Sequence, residues 1–308
     1  MDFLRVRTGM RAPRAALAVA IGNFDGVHLG HQALVNRARA VASAQGLLPA
    51  VLTFEPMPLE FLRPATAPAR LMRLRDKSLA LAATGVEALA VARFDAAFSA
   101  STPAAFEDLL VNGLRAAAVV VGDGFCYASG RSGTVATLAA AGQRRGFAVE
   151  VVAPVLADGE RVSSTRLREA LARGDLATVE RLCGRPFTIV GRVARGRQLG
   201  RTLGYPTANI RLHRHRVPLT GIYAVRAAVD GVTYAAVASL GTRPTVDGVE
   251  PWLETHLFDF AGDLYGRMLS VTFVAKLRDE ERFADLPALT RQMDRDAEDA
   301  RRVLSGAR

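Results

Sequence analysis

The sequence predicts an α/β domain with a parallel sheet, followed by a small closed or nearly closed β-barrel of the six-stranded type with a terminal helix. The chain has 308 residues, which is enough for two domains. Strand and helix patterns alternate over residues 1–183, as is typical of a parallel sheet covered by helices. Over residues 184–308, short strand-like runs follow a predicted hinge at Gly184-Arg185-Pro186, and one amphipathic helix closes the chain.

The first domain contains five predicted strands and four predicted helices. The strands are the apolar runs Leu17–Ile21, Pro49–Phe54, Ala88–Ala92, Ala117–Gly122 and Ala148–Val155. The helices are Gln32–Ala44, Leu74–Ala83, Pro103–Val111 and Val135–Arg145. Thr102 supplies an N-cap before Pro103, and Gly85 and Gly146 follow helix ends. Ligands in such sheets bind beyond the carboxyl ends of the strands, so functional residues are expected there.

The second domain contains predicted strands without long helices between them. The strands are Phe187–Val193, Ile222–Val229, Tyr234–Ser239, Trp252–Phe258 and Met268–Phe273. Asp230-Gly231 and Asp247-Gly248 are turn signals between them. The closing helix is predicted over Leu286–Leu304.

The net charge of +10 does not by itself indicate nucleic-acid binding. Only Lys77 and Lys276 are lysines, and the arginines are scattered, often beside acids. No basic tail and no basic stripe with aromatic residues is present, so no nucleic-acid partner is expected. A protein that handles anionic nucleotides would carry the same sign of charge.

Membrane and secretory classes are not expected either. No apolar run is long enough to span a bilayer, and Met1–Pro13 is not followed by the pattern of a signal peptide. Cys126 and Cys183 lie far apart and in no C-x-x-C pair. A disulfide scaffold or a zinc site is therefore not expected, and a reducing cytoplasm is the predicted compartment.

The most informative segment is the run Ile21-Gly-Asn-Phe-Asp-Gly-Val-His-Leu-Gly-His31. It places His28 and His31 between a predicted strand and a predicted helix. Free backbone N–H groups and the positive end of the helix dipole favour phosphate there, and a glycine lets the backbone approach a ligand. The segment suits a nucleoside triphosphate and the charge on its α-phosphate. The alternatives are a structural pair or a zinc pair, for which no matching third ligand is near.

A second segment of interest is Val162-Ser-Ser-Thr-Arg-Leu-Arg168, which carries three hydroxyls at the start of a helix. Leu167, Ala170 and Leu171 mark the buried face of that helix. Capping alone would explain the hydroxyls. Arg168, one turn into the helix, could also reach phosphates, and hydroxyls with a guanidinium match a triphosphate tail.

A third segment, Val121–Gly133, is rich in glycine and follows a strand. Phe125 and Tyr127 could hold a flat aromatic ligand, and Arg131 a phosphate. A glycine-rich loop alone is a weak signal, so an ordinary loop remains open at this point.

These three segments resemble the FMN adenylyltransferase module of bacterial bifunctional riboflavin kinase/FAD synthetases. The resemblance implies a Rossmann-like nucleotidyltransferase domain in which the FMN phosphate attacks the α-phosphorus of ATP and pyrophosphate leaves. It implies that His28 and His31 stabilise the α-phosphate during transfer. The implied ATP-binding residues are Gly22, Asn23, Phe24, Asp25, Gly26, Ser163, Ser164, Thr165 and Arg168. The implied flavin-binding residues are Gly122, Phe125, Tyr127 and Arg131.

The sequence departs from this family at three positions. Gly124 stands where the family has Asp or Asn, Ala128 where it has Gly, and Met57 where it has His. All three concern the flavin rather than the ATP motifs.

The segment Gly191–Asn209 is dense in glycine and ends in Pro-Thr-Ala-Asn. It is not a P-loop, because no G-x-x-x-x-G-K-[ST] is present. Thr207 and Asn209 lie two residues apart and would point the same way in an extended chain. Their hydroxyl and carbonyl oxygens suit Mg²⁺. An ordinary glycine-rich turn would explain the segment equally well.

The predicted strand Trp252–Phe258 alternates, with Trp252, Glu254 and His256 on one face. A carboxylate among aromatic rings can serve as a general base. The exposed polar face of an edge strand is the alternative.

A second resemblance covers nearly all of residues 185–300. The segments L-G-Y-P-T-A-N-I, G-I-Y-A-V, L-G-T-R-P-T-V, E-T-H-L-F-D-F, D-L-Y-G and L-R-D-E-E-R-F follow the order of riboflavin kinases. This implies that Thr207 and Asn209 hold Mg-ATP and that Glu254 activates the 5′-hydroxyl of riboflavin. The implied ATP-binding residues are Gly196, Gly200, Gly204, Pro206, Thr207 and Asn209. Ser239 stands where Asn is more usual.

Together the resemblances predict a bifunctional enzyme that makes FMN from riboflavin and FAD from FMN, with ATP and Mg²⁺ at both steps. One alternative is a riboflavin kinase whose first domain has lost adenylyl transfer, motivated by Gly124, Ala128 and Met57. Another is a flavin- or nucleic-acid-binding regulator on an enzyme scaffold. Binding alone needs none of His28, His31 and Glu254, which argues against the regulator.

Overall fold

The computed structural model describes residues 1–6, 12–196, 200, 203–212, 216–245 and 248–306. The chain divides into two compact units. The first consists of Met1–Pro68 and Met72–Ser164, and the second of Ala69–Leu71 and Thr165–Arg308. None of the helices in the described ranges is long and apolar enough to cross a membrane.

The first unit is built on a six-stranded parallel sheet with strand order β1-β4-β3-β2-β5-β8. These strands are β1 Asp2–Val6, β2 Leu17–Ile21, β3 Leu48–Glu55, β4 Ala88–Arg93, β5 Ala116–Gly122 and β8 Ala148–Val152. Two short antiparallel pairs add β6 Cys126–Tyr127 with β7 Gly133–Thr134, and β9 Leu156–Ala157 with β10 Glu160–Arg161. All five residues of β2 are buried, so the predicted parallel sheet is confirmed with β2 at its centre.

The helices of the first unit follow the predicted order. They are α1 Leu29–Gln45, α2 Pro58–Leu62, α3 Leu74–Ala82, α4 Ala96–Ser99, α5 Pro103–Asp108 and α6 Val135–Arg145. A π-helical turn, Leu109–Gly113, continues α5. Helix α1 begins three residues before its predicted start, because the His28 side chain caps it. The strand β1 was not predicted, since it is a short edge strand with mostly exposed residues.

The second unit contains a closed barrel with strand order β11-β12-β15-β14-β13-β16. The elements are α7 Ser164–Arg173, α8 Leu176–Cys183, β11 Thr188–Ala194, β12 Ala208–Arg211, β13 Gly221–Val229, β14 Val232–Thr245, β15 Gly248–Leu257, β16 Met268–Arg278 and α9 Leu286–Gly306. The predicted six-stranded barrel with a terminal helix is confirmed. Helix α9 covers one side of the barrel, where Ala300 and Leu304 lie in one apolar cluster with Ala224 and Phe258.

The boundary between the two compact units, after Ser164, lies earlier in the chain than the predicted domain limit at residue 183. Helices α7 and α8 belong mostly to the second unit, and α8 contacts β16. The buried face of α7 is formed by Leu167, Ala170 and Leu171, as the sequence predicts. The limits 1–183 and 184–308 stay a prediction.

Candidate functional site

The two histidines of the first unit form a stacked pair at the start of α1. Their ring centroids are 3.7 Å apart and their planes differ by 15°. His28 Nδ1 accepts a hydrogen bond from the backbone N–H of His31 at 3.3 Å. A neutral His28 therefore carries its proton on Nε2, where it can donate to a ligand. Gly30 permits the stack, because a Cβ there would lie 3.2 Å from the His28 ring.

The electrostatic state of His31 is set by its surroundings. Burial lowers its pKa well below the usual value, and the nearby His28 and Lys77 lower it further. His31 is therefore neutral at pH 7. Its Nδ1 atom is buried and has no hydrogen-bond partner among the described residues. A buried polar atom of this kind at a helix N-terminus is where a ligand atom is expected.

The loop between β2 and α1 is held by side chains from several elements. Asp25 is 2% exposed, and its Oδ1 accepts from the backbone N–H of Met72 at 2.9 Å. Its carbonyl accepts from Ser164 Oγ at 2.8 Å. Phe24 is fully buried and its ring lies 5.1 Å from that of His31. These contacts make Asp25, Phe24 and Ser164 supports of the loop.

The remaining predicted ATP residues lie around this loop or in the second unit. Gly22 and Gly26 flank Phe24 and Asp25, and Gly26 has a φ of +96°, which glycine adopts readily. Thr165 and Arg168 belong to the second unit, where Arg168 Nε donates to the carbonyl of Ala69 at 2.5 Å. Binding of the triphosphate tail by Ser163, Thr165 and Arg168 stays a prediction.

The predicted flavin loop contains two stacked rings with different surroundings. Phe125 and Tyr127 lie 5.9 Å apart with planes at 14°. Tyr127 is buried, its hydroxyl donates to Glu107 at 2.9 Å, and burial is the main cause that raises its pKa. A Cβ on Gly133 would lie 2.5 Å from the Tyr127 ring. Tyr127 is therefore a support, and the half-buried Phe125 is the ring that can meet a ligand.

The other residues of this loop are more exposed. Gly122 ends β5, and its carbonyl accepts from the backbone N–H of Phe125 at 3.1 Å. Arg131 is exposed, with its Nη2 3.5 Å from Cys126 Sγ.

The three departures from the family pattern occupy different environments. Ala128 has a φ of +63°, which explains a preference for glycine and strains alanine by about 1–3 kcal/mol. Met57 is buried at the start of α2, and its backbone N–H donates to Glu60 Oε2 at 3.0 Å. A Cβ on Gly124 would meet nothing within 4 Å.

The barrel of the second unit carries a cavity of about 470 Å³ around Glu254. In the strand register, Asn209 pairs with Glu254, and Glu254 pairs with Ser239. All three residues line the cavity. The other lining residues are Gly200, Leu203, Tyr205, Thr207, Ile222, Val237, Ala238, His256, Arg278, Glu280, Glu281, Phe283, Leu289, Met293 and Asp296. Leu253, Thr255 and Leu257 occupy the opposite, buried face of β15, as the predicted alternation of this strand requires.

Charged residues that the sequence analysis did not single out also face this cavity. Arg278 donates to both carboxylate oxygens of Asp296, at 2.8 and 2.7 Å. Burial, and then the charge of Glu254, raises the pKa of Glu280, which Arg278 partly offsets. The motif L-R-D-E-E-R-F contains Arg278 and Glu280, but only the closed barrel brings them opposite Glu254.

A second cavity, of about 690 Å³, adjoins the same short strand. Thr207 and Asn209 line both cavities. The other lining residues are Val193, Arg195, Pro206, Ala208, Leu257, Phe260, Gly262, Asp263, Leu264 and Tyr265. The Arg195 guanidinium lies 5.5 Å from the centre of the Tyr265 ring. The Thr207–Asn209 segment thus lies between two cavities, one that contains Glu254 and one that contains Arg195 and Tyr265.

Thr207 and Asn209 lie side by side at this boundary. Asn209 Nδ2 donates to the carbonyl of Thr207 at 3.0 Å and to its Oγ1 at 3.3 Å. Asn209 is buried, and a Cβ on Gly196 would lie 2.7 Å from its Cγ and Oδ1 atoms. Similarly, a Cβ on Gly200 would lie 2.3 Å from the carbonyl oxygen of Tyr205. Gly204 has a φ of +84°, so the glycines of this segment serve its turns and close approaches.

Replacing Gly196 with alanine is expected to weaken any activity of the barrel that uses Asn209. The added methyl must push the Asn209 amide away from Thr207, which is expected to raise the KM for Mg-ATP by about 10–100-fold, with little effect on the first unit. Steady-state kinetics with varied ATP measure this. Gly306→Ala is the control, because its methyl meets nothing within 4 Å. An unchanged KM in Gly196→Ala would contradict the assignment of Asn209.

Comparison with known proteins gives a separate family match for each part of the chain. A family model described as FAD synthetase matches residues 11–166, and one described as Riboflavin kinase matches residues 183–304. The bifunctional riboflavin kinase/FMN adenylyltransferase of Haemophilus influenzae is 46% identical, over 92% of this chain and 93% of its own length. The chain belongs to the bifunctional riboflavin kinase/FMN adenylyltransferase family.

Further relatives extend over almost the whole chain. The family member from Pseudomonas fluorescens is 46% identical over 98% of this chain and 97% of its own length, and that from Bacillus subtilis is 34% identical over 97% and 96%. A crystal structure described as a macrolide-efflux protein from Streptococcus pneumoniae has a TM-score of 0.80 at 29% identity and covers 98% of this chain and 99% of its own.

As a member of this family, the chain is a bifunctional enzyme, a kinase and a nucleotidyltransferase. The predicted combination of both activities is confirmed, and the alternatives of a kinase alone or a regulator are not supported. The family assignment does not test the role of any single residue.

Proposed function

We propose that the barrel transfers the γ-phosphoryl group of ATP to riboflavin across the Thr207–Asn209 segment. The single observation that supports this most is that this segment lines both cavities. Riboflavin would occupy the cavity that contains Glu254, and ATP the cavity with Arg195 and Tyr265. The nucleotide phosphates would then meet the riboflavin hydroxyl at the boundary, as an in-line transfer requires.

Glu254 would act as the general base of this step. Its carboxylate takes the proton of the 5′-hydroxyl while the hydroxyl oxygen bonds to the γ-phosphorus, and ADP leaves. The pairing of Glu254 with Asn209 in neighbouring strands supports this role, because it would keep the base next to the proposed ATP contact. FMN is the product.

Magnesium would be held by Thr207 and Asn209 together with the phosphates of ATP. Their hydroxyl and carbonyl oxygens are hard ligands, and Mg²⁺ in phosphoryl-transfer sites keeps several waters and needs few protein ligands. No group of three or more His, Cys, Asp or Glu residues in the described ranges could hold a metal ion. The ion neutralises charge on the phosphates when it is bound.

In the first unit, we infer that the histidine pair serves adenylyl transfer. A phosphate oxygen of FMN attacks the α-phosphorus of ATP, the bond between the α-phosphorus and the bridging oxygen breaks, and pyrophosphate leaves. The Nε2 proton of His28 would stabilise the charge on the α-phosphate. The neutral His31 would provide a second contact, and Phe125 would contact the flavin ring.

The two activities are tested together by supplying riboflavin, ATP and Mg²⁺ and separating the flavins by chromatography. Formation of FMN followed by FAD is expected. Removal of Mg²⁺ with a chelator, and its restoration by excess Mg²⁺, is expected to stop and restart both steps. FMN production without any FAD would contradict the role proposed for the first unit.

The proposed partners are therefore small molecules: ATP, riboflavin and FMN. No nucleic-acid or membrane partner is proposed. Cys126 and Cys183, both in the described part of the chain, form no disulfide, and a cytoplasmic location stays a prediction from cysteine usage.

A further inference from the structure

One of the two lysines of this arginine-rich chain is completely buried in the first unit. Lys77 lies on α3 and its side chain is 0% exposed, which is rare for lysine unless its ammonium group is paired. The sequence analysis used Lys77 only to describe composition. Because it is buried, its ammonium group needs hydrogen-bond partners in the interior.

The ammonium group of Lys77 reaches the loop that carries the histidines. Lys77 Nζ donates to the carbonyl of Asn23 at 2.6 Å and to Thr53 Oγ1 at 3.3 Å. Thr53 Oγ1, also fully buried, donates to the same Asn23 carbonyl at 3.1 Å. An ammonium and a hydroxyl from two elements, α3 and β3, thus converge on one carbonyl of the loop.

This loop has a backbone that needs such support. Phe24 has a φ of +49° and Val27 a φ of +44°, and this left-handed region is strained for residues other than glycine. The conformation therefore persists only where the surroundings enforce it. Gln32 Nε2 holds the Val27 carbonyl at 3.0 Å, but the bond from Lys77 is charge-assisted and belongs to the stronger class.

We propose that Lys77 is a positioning residue for adenylyl transfer, whose buried ammonium fixes the Asn23 carbonyl and so holds His28 and His31 in their reactive arrangement. The proposal rests on the proposed function of the histidine pair. It assigns Lys77 no contact with substrate. Thr53 assists by binding the same carbonyl.

The electrostatic effect of Lys77 on His31 supports the geometry. The pKa of His31 is lowered first by burial, then by His28 and then by Lys77. These two side chains are the titratable groups that act on it in the described part of the chain, His28 from its own helix start and Lys77 from α3. The Lys77 charge therefore helps to keep His31 neutral, in addition to holding the loop.

The test compares Lys77→Met with Thr53→Val, which removes one hydroxyl at nearly constant volume. In Lys77→Met, kcat for FAD formation from FMN is expected to fall by about 100-fold, with a much smaller change in the KM for ATP. In Thr53→Val, the fall is expected to be about 3–10-fold, because the ammonium remains. Phosphorylation of riboflavin by the same samples is expected to stay within about twofold of the original chain.

The pKa of His31, measured by NMR titration of the protein with labelled histidine, is a readout that a merely structural role of Lys77 would not change. The chain has 5 histidines, so the His31 signal can be assigned with a His31→Gln variant. The His31 pKa is expected to rise in Lys77→Met and to stay low in Thr53→Val. If circular dichroism shows that Lys77→Met does not fold, the kcat of Thr53→Val for FAD formation decides whether the proposal stands.

The outcomes separate this proposal from the proposed function. FAD formation within about threefold of normal in folded Lys77→Met, or an unchanged kcat in Thr53→Val, overturns the role of Lys77. If His28→Ala also keeps FAD formation, the function assigned to the histidine pair fails instead. A low kcat together with a raised His31 pKa supports the proposal.

Discussion

Replacing Glu254 with glutamine is expected to reduce FMN formation from riboflavin by about 10²–10⁴-fold, the usual contribution of a general base. Glutamine keeps the shape of the side chain and cannot take the proton of the 5′-hydroxyl. Glu254 lies between Asn209 and Ser239 in the strand register, so the substitution should leave the barrel folded. Chromatography of the flavins formed from riboflavin and ATP measures the loss.

The matched control for this prediction is Glu280→Gln in the same cavity. Burial and the charge of Glu254 raise the pKa of Glu280, so its carboxyl binds a proton more readily than an ordinary glutamate. Glu280 follows the end of β16 and does not belong to the strand that pairs with Asn209, so Glu280→Gln is expected to affect riboflavin binding more than kcat. FAD formation from added FMN should stay within about twofold in both variants. Loss of kcat in Glu280→Gln with a normal Glu254→Gln would make Glu280 the base.

Replacing His28 with alanine is expected to reduce FAD formation from FMN by about 10²–10³-fold, the usual effect of removing one donor to a transition-state charge. The imidazole lies at the N-terminus of α1, stacked on His31 at 3.7 Å. Phosphorylation of riboflavin by the second unit should be unaffected. Separate assays supplied with riboflavin or with FMN measure the two activities.

His28 also caps α1, and His28→Asn separates this role from catalysis. The His28 side chain accepts from the His31 backbone N–H, and loss of such a cap costs about 0.5–2 kcal/mol. Asparagine can accept that bond and has no imidazole. If His28→Asn is as inactive as His28→Ala, the imidazole is required. Recovery of FAD formation in His28→Asn would leave His28 with a capping role alone.

The main elements of the fold followed from local patterns. Strand β2 and helix α6 have their predicted bounds, because a five-residue apolar run and a capped amphipathic segment are specified by neighbouring residues. The missed strands β1 and β12 are short. Each forms through hydrogen bonds to a partner distant in the sequence, β4 and β15 respectively, and a local pattern carries little signal for such pairing.

For the sites, the sequence indicated which residues lie together but not which side chains are buried. The sequence brought together His28 with His31, and Thr207 with Asn209, because their spacing alone places each pair on one side of a helix start or an extended chain. It predicted that Phe24 and Tyr127 contact ligands; both side chains are buried, and their contact with a ligand stays a prediction. Residue type indicates that an aromatic ring is present, but burial decides whether a ligand can touch it.

The sequence by itself determined the two domain types and the family, and it indicated the candidate site residues, since each of these follows from contiguous segments. Only the tertiary structure decided that Lys77 holds the histidine loop, that Glu280 faces Glu254 and that one short strand borders two cavities. The physical reason is that these relations arise from closure of the sheet and the barrel. Closure brings together residues far apart in the chain, whose side-chain types do not reveal their partners.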